Sequence, residues 1–168
     1  MQPRKHIAII IIFILIFGLQ TKLGFSRNYI ESLKVKAIPA EILDTICPLY
    51  LTFQMQIIAG VKMYKTEQLT IKYRLIGDNG FASNWRQYNI AKGDTRTDVF
   101  RRRIDPHAIA EKTDIKNNPT LELKGDKIHY RGWSAVELIY QDELRKIYTV
   151  GSNKAEFNIE CKELEIIN

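Results

Sequence analysis

Period-two alternation of apolar and polar residues, repeated along most of the chain, is the feature that most constrains its fold. In "LYLTFQMQIIAG", Leu49, Leu51, Phe53, Met55 and Ile57 share one side, with Tyr50, Thr52, Gln54 and Gln56 on the other. "QLTIKYRLIG" repeats the pattern, with Leu69, Ile71, Tyr73 and Leu75 against Thr70, Lys72 and Arg74. "SLKVKAIP" sets Leu33, Val35 and Ala37 against Lys34 and Lys36 and stops at Pro39. "GWSAVELIYQ" places Val136, Leu138 and Tyr140 together, and "KAEFNIEC" does the same for Ala155, Phe157, Ile159 and Cys161. "NWRQYNI", "TDVFRRRID" and "KIYTV" read as further strands. A helix would repeat near 3.6 residues, so the expectation is an all-β fold of two stacked antiparallel sheets. Asp78-Asn79-Gly80 supplies residues that tolerate left-handed backbone in a turn.

One stretch breaks the rhythm. Residues 105–127, "DPHAIAEKTDIKNNPTLELKGDK", are polar and carry two prolines. They read as a long loop between strands, with room for a short helix through "PHAIAEK" that begins at Pro106 and is capped by Asp105.

The first 26 residues differ in character from the rest. Arg4 and Lys5 precede an apolar run from Ile7 to Leu19, which predicts a hydrophobic amino-terminal helix. Its thirteen residues make about 20 Å of helix, short of a bilayer's ~30 Å hydrocarbon core. That length suits a secretory signal peptide, with Gly24-Phe25-Ser26 as a small-x-small site before Arg27. The alternative is a membrane anchor retained through residues 7–19, because Lys22 disfavours cleavage. Residues 27–168 then form a single domain. The formal net charge of +6 suggests an anionic partner, but three of the 25 basic residues (Arg4, Lys5, Lys22) and no acidic one lie before Arg27. The remainder carries 22 basic against 19 acidic residues, a balance that gives little ground for a nucleic-acid partner.

An exported chain carries Cys47 and Cys161, its two cysteines, into an oxidising space where one intramolecular disulfide is available to them. Two buried thiols and a reactive cysteine are the alternatives. The second has no Cys-x-x-Cys motif to support it.

Several separated residues form a pattern: Cys47-Pro48, Tyr73-Arg74, Asp78-Asn79-Gly80, Gly132-Trp133, and "SNKAEFNIEC" from Ser152 to Cys161. Together they resemble a group of exported bacterial immunoglobulin-like modules with the pattern CP…F…YR…DG…GW…SN.A.F...C, over roughly Val35 to Cys161. The resemblance implies an immunoglobulin-like antiparallel β-sandwich, export, and a Cys47–Cys161 bond. It implies no activity, since the fold hosts many. Asn79 between Asp78 and Gly80, and the length of residues 105–127, depart from the pattern.

No catalytic set is evident. His107 and His129 lack a third metal ligand, and Asp94 and Asp98 lack the glycine and distal glutamate of a calcium loop. No phosphate-binding glycine loop or nucleophile elbow occurs, so no catalytic residue, metal or cofactor is expected. Arg101-Arg102-Arg103 is the strongest charged feature. In a strand Arg101 and Arg103 share a face, while Arg102 joins Phe100 and Ile104, either buried and paired or at a strand end. Brought to one sheet with Lys72 and Arg74, Arg101 and Arg103 would make a basic patch able to meet a phosphate-bearing envelope polymer. The opposing reading is a solvated face whose charges discourage edge-to-edge aggregation. Trp85, in polar "ASNWRQY", is the candidate exposed aromatic, and Trp133 reads as core.

The expected function is that of an exported binding or structural module without catalytic activity, periplasmic, surface-held or secreted. Its partner would be a protein or an anionic envelope polymer. The alternatives are a membrane-anchored accessory subunit of an envelope assembly, or a small exported inhibitor or immunity protein acting through residues 105–127.

Overall fold

The computed structural model describes residues 29–61, 67–113 and 118–162. The expected amino-terminal helix, and its role as signal peptide or anchor, lie outside the described residues. Among those residues the chain forms strands β1 (Ile30–Ile38), β2 (Glu41–Thr45), β3 (Leu49–Ala59), β4 (Gln68–Gly77), β5 (Arg86–Ala91) and β6 (Thr95–Ile104). Helix α1 (Pro106–Lys112) follows, then β7 (Leu121–Lys124), β8 (Lys127–Gln141), β9 (Ile147–Gly151) and β10 (Ala155–Lys162). Among the described residues the fold is all-β apart from this one short helix. Among the described residues no helix is long and apolar enough to cross a membrane.

The strands form two sheets. The smaller has the order β1-β3-β6, antiparallel throughout. The larger runs β2-β10-β8-β4-β5, and β8 also pairs with β7 and β9. Its one parallel pairing joins β2 to β10. The alternating residues face inward as their period requires. Phe53, Met55 and Ile57 of β3 and Ile71 and Leu75 of β4 are fully buried, and residues of both sheets join one hydrophobic core. Two edge-on ring pairs link the sheets, Phe53 to Phe157 at 5.8 Å between centroids and Tyr73 to Phe100 at 6.1 Å. Such pairs add roughly 0.5–1.5 kcal/mol each beyond the area they bury.

Cys47 and Cys161 are joined by a disulfide, with Cα atoms 5.7 Å apart. Cys161 lies on β10, whereas Cys47 lies in the short connection through which the chain leaves β2 in the larger sheet for β3 in the smaller. The bond therefore holds this crossing point against the last described strand. At a sequence separation of 114, closing this loop is worth about 4–5 kcal/mol in the chain-entropy picture.

Residues 105–127 are not one long loop. α1 occupies Pro106–Lys112, with Asp105 Oδ1 accepting from the Ala108 N–H at 3.2 Å, as the capping pattern predicts. β7 then returns along β8 in a tight hairpin, with Gly125 at φ 64° in its turn. Leu121 and Leu123 alternate with Glu122 and Lys124, but four residues are too few to stand out from the surrounding polar sequence, and only Leu121 is buried. Trp133 is not in the core. The register that sends Val136, Leu138 and Tyr140 inward also sends Gly132 and Ser134 inward, leaving Trp133 half-buried on the outer face beneath Lys154 Nζ.

Candidate ligand-binding face

Arg102 is the buried member of the arginine triplet, with 3% of its surface exposed. Its parity in β6 turns it inward, and Asp78 in the turn after β4 meets it, with Arg102 Nη1 lying 2.8 Å from Asp78 Oδ1. Nη1 also donates to Trp133 O at 2.9 Å and Ser134 Oγ at 3.0 Å, and Nη2 donates to Asp78 O at 3.2 Å. Tyr130 donates its hydroxyl to Asp78 Oδ2, while Asn79 Nδ2 donates to the Tyr130 oxygen at 3.0 Å. Burial, then the hydrogen bond to Asp78, pushes the Tyr130 phenol well above its ordinary range. A buried charge pair persists when hydrogen bonds satisfy its remaining lone pairs and protons. Here Arg102 Nη1, Arg102 Nη2 and Asp78 Oδ2 are so supplied, whereas Asp78 Oδ1 has the charge contact with Arg102 and no hydrogen bond. The cluster ties the β4–β5 turn, β6 and β8 together, so its role is structural.

The motif residues carry the same architecture. A Cβ on Gly132 would overlap the Phe157 ring and stand 2.9 Å from Asp78 Oδ2, which explains a glycine before Trp133. Asn153 reaches across to the edge of the smaller sheet. Its Oδ1 accepts from Val35 N–H at 3.0 Å, and its Nδ2 donates to Val35 O at 2.9 Å. Arg86 closes the opposite edge, donating to Val99 O at 2.9 Å and to Asp98 Oδ2 at 2.8 Å. Burial alone would raise the Asp98 carboxyl, but hydrogen bonds from Arg86, Tyr73 and the Val99 N–H hold it below its usual range. Both edges of the three-stranded sheet are thus occupied by side chains from the larger one.

The four residues expected to form one basic patch are not brought together. Lys72 and Arg74 lie on β4 in the larger sheet, Arg101 and Arg103 on β6 in the smaller, and each pair faces outward from its own sheet. The reason is strand order: β4 pairs with β5 and β8, never with β6. Arg74 is already engaged, with Nε 2.8 Å from Glu137 Oε2 and its guanidinium 4.4 Å from the Trp85 ring centroid. Trp85 is 42% exposed, one face covered by that guanidinium, beside a hollow of about 370 Å³ bounded by Lys72, Gln87 and Ile139.

The outer faces of the two sheets differ in charge balance. On the larger, cations meet carboxylates: Arg74 with Glu137, Lys127 with Glu160 and Asp44, and Lys162 with Asp44. The Asp44 and Glu160 carboxyls are held below their usual range by hydrogen bonds from these lysines. On the smaller sheet the register aligns outward residues in rungs: Lys34-Gln56-Thr97, Lys36-Gln54-Val99, Ile38-Thr52-Arg101, and Tyr50-Arg103. Each of the four successive rungs carries one cation, and none carries a carboxylate. Arg103 shares its charge with Asp105 at 3.2 Å, at the end of the row. Among the described residues no ion pair engages Lys34, Lys36 or Arg101. The alternation of "SLKVKAIP" already turned Lys34 and Lys36 outward. Their alignment with Arg101 and Arg103 depends on strand order, which no local pattern encodes.

Among the described residues no three His, Cys, Asp or Glu side chains converge as a metal site would require. No protein-family model and no curated protein matches the chain. Among solved structures it is similar to a Pseudomonas fluorescens alkylpurine DNA glycosylase, AlkC, bound to DNA containing an abasic-site analogue. That similarity has 10% identity and a TM-score of 0.35, covering 76% of this chain and 30% of the glycosylase. It is also similar to the C-terminal domain of Wzt at 8% identity and TM-score 0.35, covering 82% of this chain and 74% of that domain. Similarities this distant carry no argument about activity.

Proposed function

We propose that the chain is an exported, disulfide-closed, immunoglobulin-like β-sandwich that serves as a binding or structural module and not as an enzyme. The observation that carries the reading is the Cys47–Cys161 bond, which a reducing cytosol would not preserve. Two sheets sharing one core, joined across it by ring pairs, support the sandwich. Three buried titratable groups, Asp78, Arg102 and Tyr130, are committed to one another, which leaves them structural work. The outward cations of the three-stranded sheet support a binding role, with an anionic envelope polymer or a protein as partner.

Export and processing are tested together by producing the full chain in a bacterial host, separating its compartments and sequencing the amino terminus. The reading expects extracytoplasmic material beginning at or near Arg27. Extracytoplasmic material retaining residues 1–26 in the membrane fraction would instead favour the anchored accessory subunit. Cytoplasmic protein would overturn both.

A further inference from the structure

We propose that the outer face of the β1-β3-β6 sheet binds an extended, phosphodiester-linked sugar or polyol polymer lying diagonally across its three strands. The inference deepens the reading of an exported binding module and rests on it.

The geometry sets the shape of the ligand. Lys34 and Lys36 occupy two successive rungs on β1, and Arg101 and Arg103 occupy the next two on β6. Alternate residues on a strand stand about 7 Å apart, and β1 and β6 lie about 10 Å apart across β3. The row therefore runs about 20 Å along the strands while crossing the sheet. A linear polymer with one negative charge about every 7 Å meets the two cations of each strand with successive charges and covers the diagonal of about 12 Å from Lys36 to Arg101 with about two repeats; a compact anion meets two cations at most.

The chemistry between the cations points to hydroxyl-rich links between the charges. Gln54, Gln56 and Thr52 lie on the middle strand along the row, where each can exchange hydrogen bonds with hydroxyls. An anionic membrane would be met better by protruding apolar groups, and single-stranded nucleic acid by a row of aromatic platforms. As an aromatic platform this row offers Tyr50 alone, 69% exposed at the Arg103 end, and its exposed apolar side chains, Ile38 and Val99, stand apart on the two edge strands. Nor are the cations required to guard the sheet edges, because Asn153 and Arg86 already occupy backbone groups there.

The test is titration of the full-length oxidised chain with poly(glycerol phosphate) of defined length, followed by fluorescence anisotropy at several salt concentrations. With four cations engaged, log K should fall with log salt with a slope of about −3, becoming shallower by about 0.7 for each cation removed. Lys36→Gln and Arg101→Gln should each weaken binding severalfold without changing the melting temperature, whereas Lys72→Gln on the other sheet should not affect binding. A single-stranded oligonucleotide of equal charge should bind more weakly, as should phosphatidylglycerol vesicles. Equal or tighter binding to either would overturn the polymer assignment. Absence of binding to all three would leave the cations as a solvated face, and equal sensitivity to Lys72→Gln would move the site to the larger sheet. Each of these failures is separable from a failure of export, which is read from compartment and amino terminus.

Discussion

Arg102 Nη1 lies 2.8 Å from Asp78 Oδ1 inside the fold, so an arginine near the end of a strand is neutralised by an aspartate from a turn. Removing one partner strands the other charge. Arg102→Met should destabilise the domain by about 3–5 kcal/mol, read as a lowered denaturant midpoint with unchanged slope. The double variant Asp78→Asn/Arg102→Met should recover part of that loss. Strict additivity of the two single effects would show that the groups do not interact.

Gly132 is small because two neighbours occupy the space its side chain would take. Gly132→Ala should cost about 1–3 kcal/mol, since its Cβ would stand 2.7 Å from Phe157 Cε2 and 2.9 Å from Asp78 Oδ2. Gly151→Ala, where nothing lies within 4 Å and the backbone is not left-handed, serves as the control and should change little. Thermal melts of the two variants decide the matter. Similar losses in both would mean that crowding at Gly132 is relieved by small shifts.

Asn153→Ala removes both bonds to the Val35 backbone. A cost of about 1–3 kcal/mol is expected, together with concentration-dependent association as the β1 edge opens. Chemical denaturation and light scattering measure the two effects, and a variant as stable as the parent and no more associated would contradict the assigned role.

Tyr130 predicts sensitivity to alkali. Its folded phenol is raised above the ordinary value of 10.0, first by burial and then by Asp78. Below pH 10 the proton is present in both folded and unfolded chains, and the contribution is complete. Above it the unfolded chain loses the proton while the folded one keeps it, so stability falls as pH rises. Stability against pH should therefore decline more steeply above pH 10 in the parent chain than in Tyr130→Phe.

The alternating strands β3, β4, β8 and β10 were legible because burial of one face imposes period two on 8 to 15 residues at a time. Arg102 was conspicuous for the same reason, sharing its parity with Phe100 and Ile104. Its partner was not, because Asp78 sits 24 residues away in a turn. β2 escaped notice because no residue in it is fully buried, so no apolar period marks it. The grouping of Lys72 and Arg74 with Arg101 and Arg103 failed, and that of Lys34 and Lys36 with them was missed, for one cause. Facing follows from local alternation, but adjacency follows from which strands pair, and β1 meets β6 only across β3.

Closure of the chain by sulfur outside the cytosol can be read by alkylating the native material, without reductant, as it is isolated from cells, and then measuring its intact mass. The expected result is no alkylated cysteine and a mass two hydrogens below that of the reduced sequence, with Cys47 and Cys161 recovered in one cross-linked peptide pair. Two alkylated thiols in freshly isolated protein would contradict it.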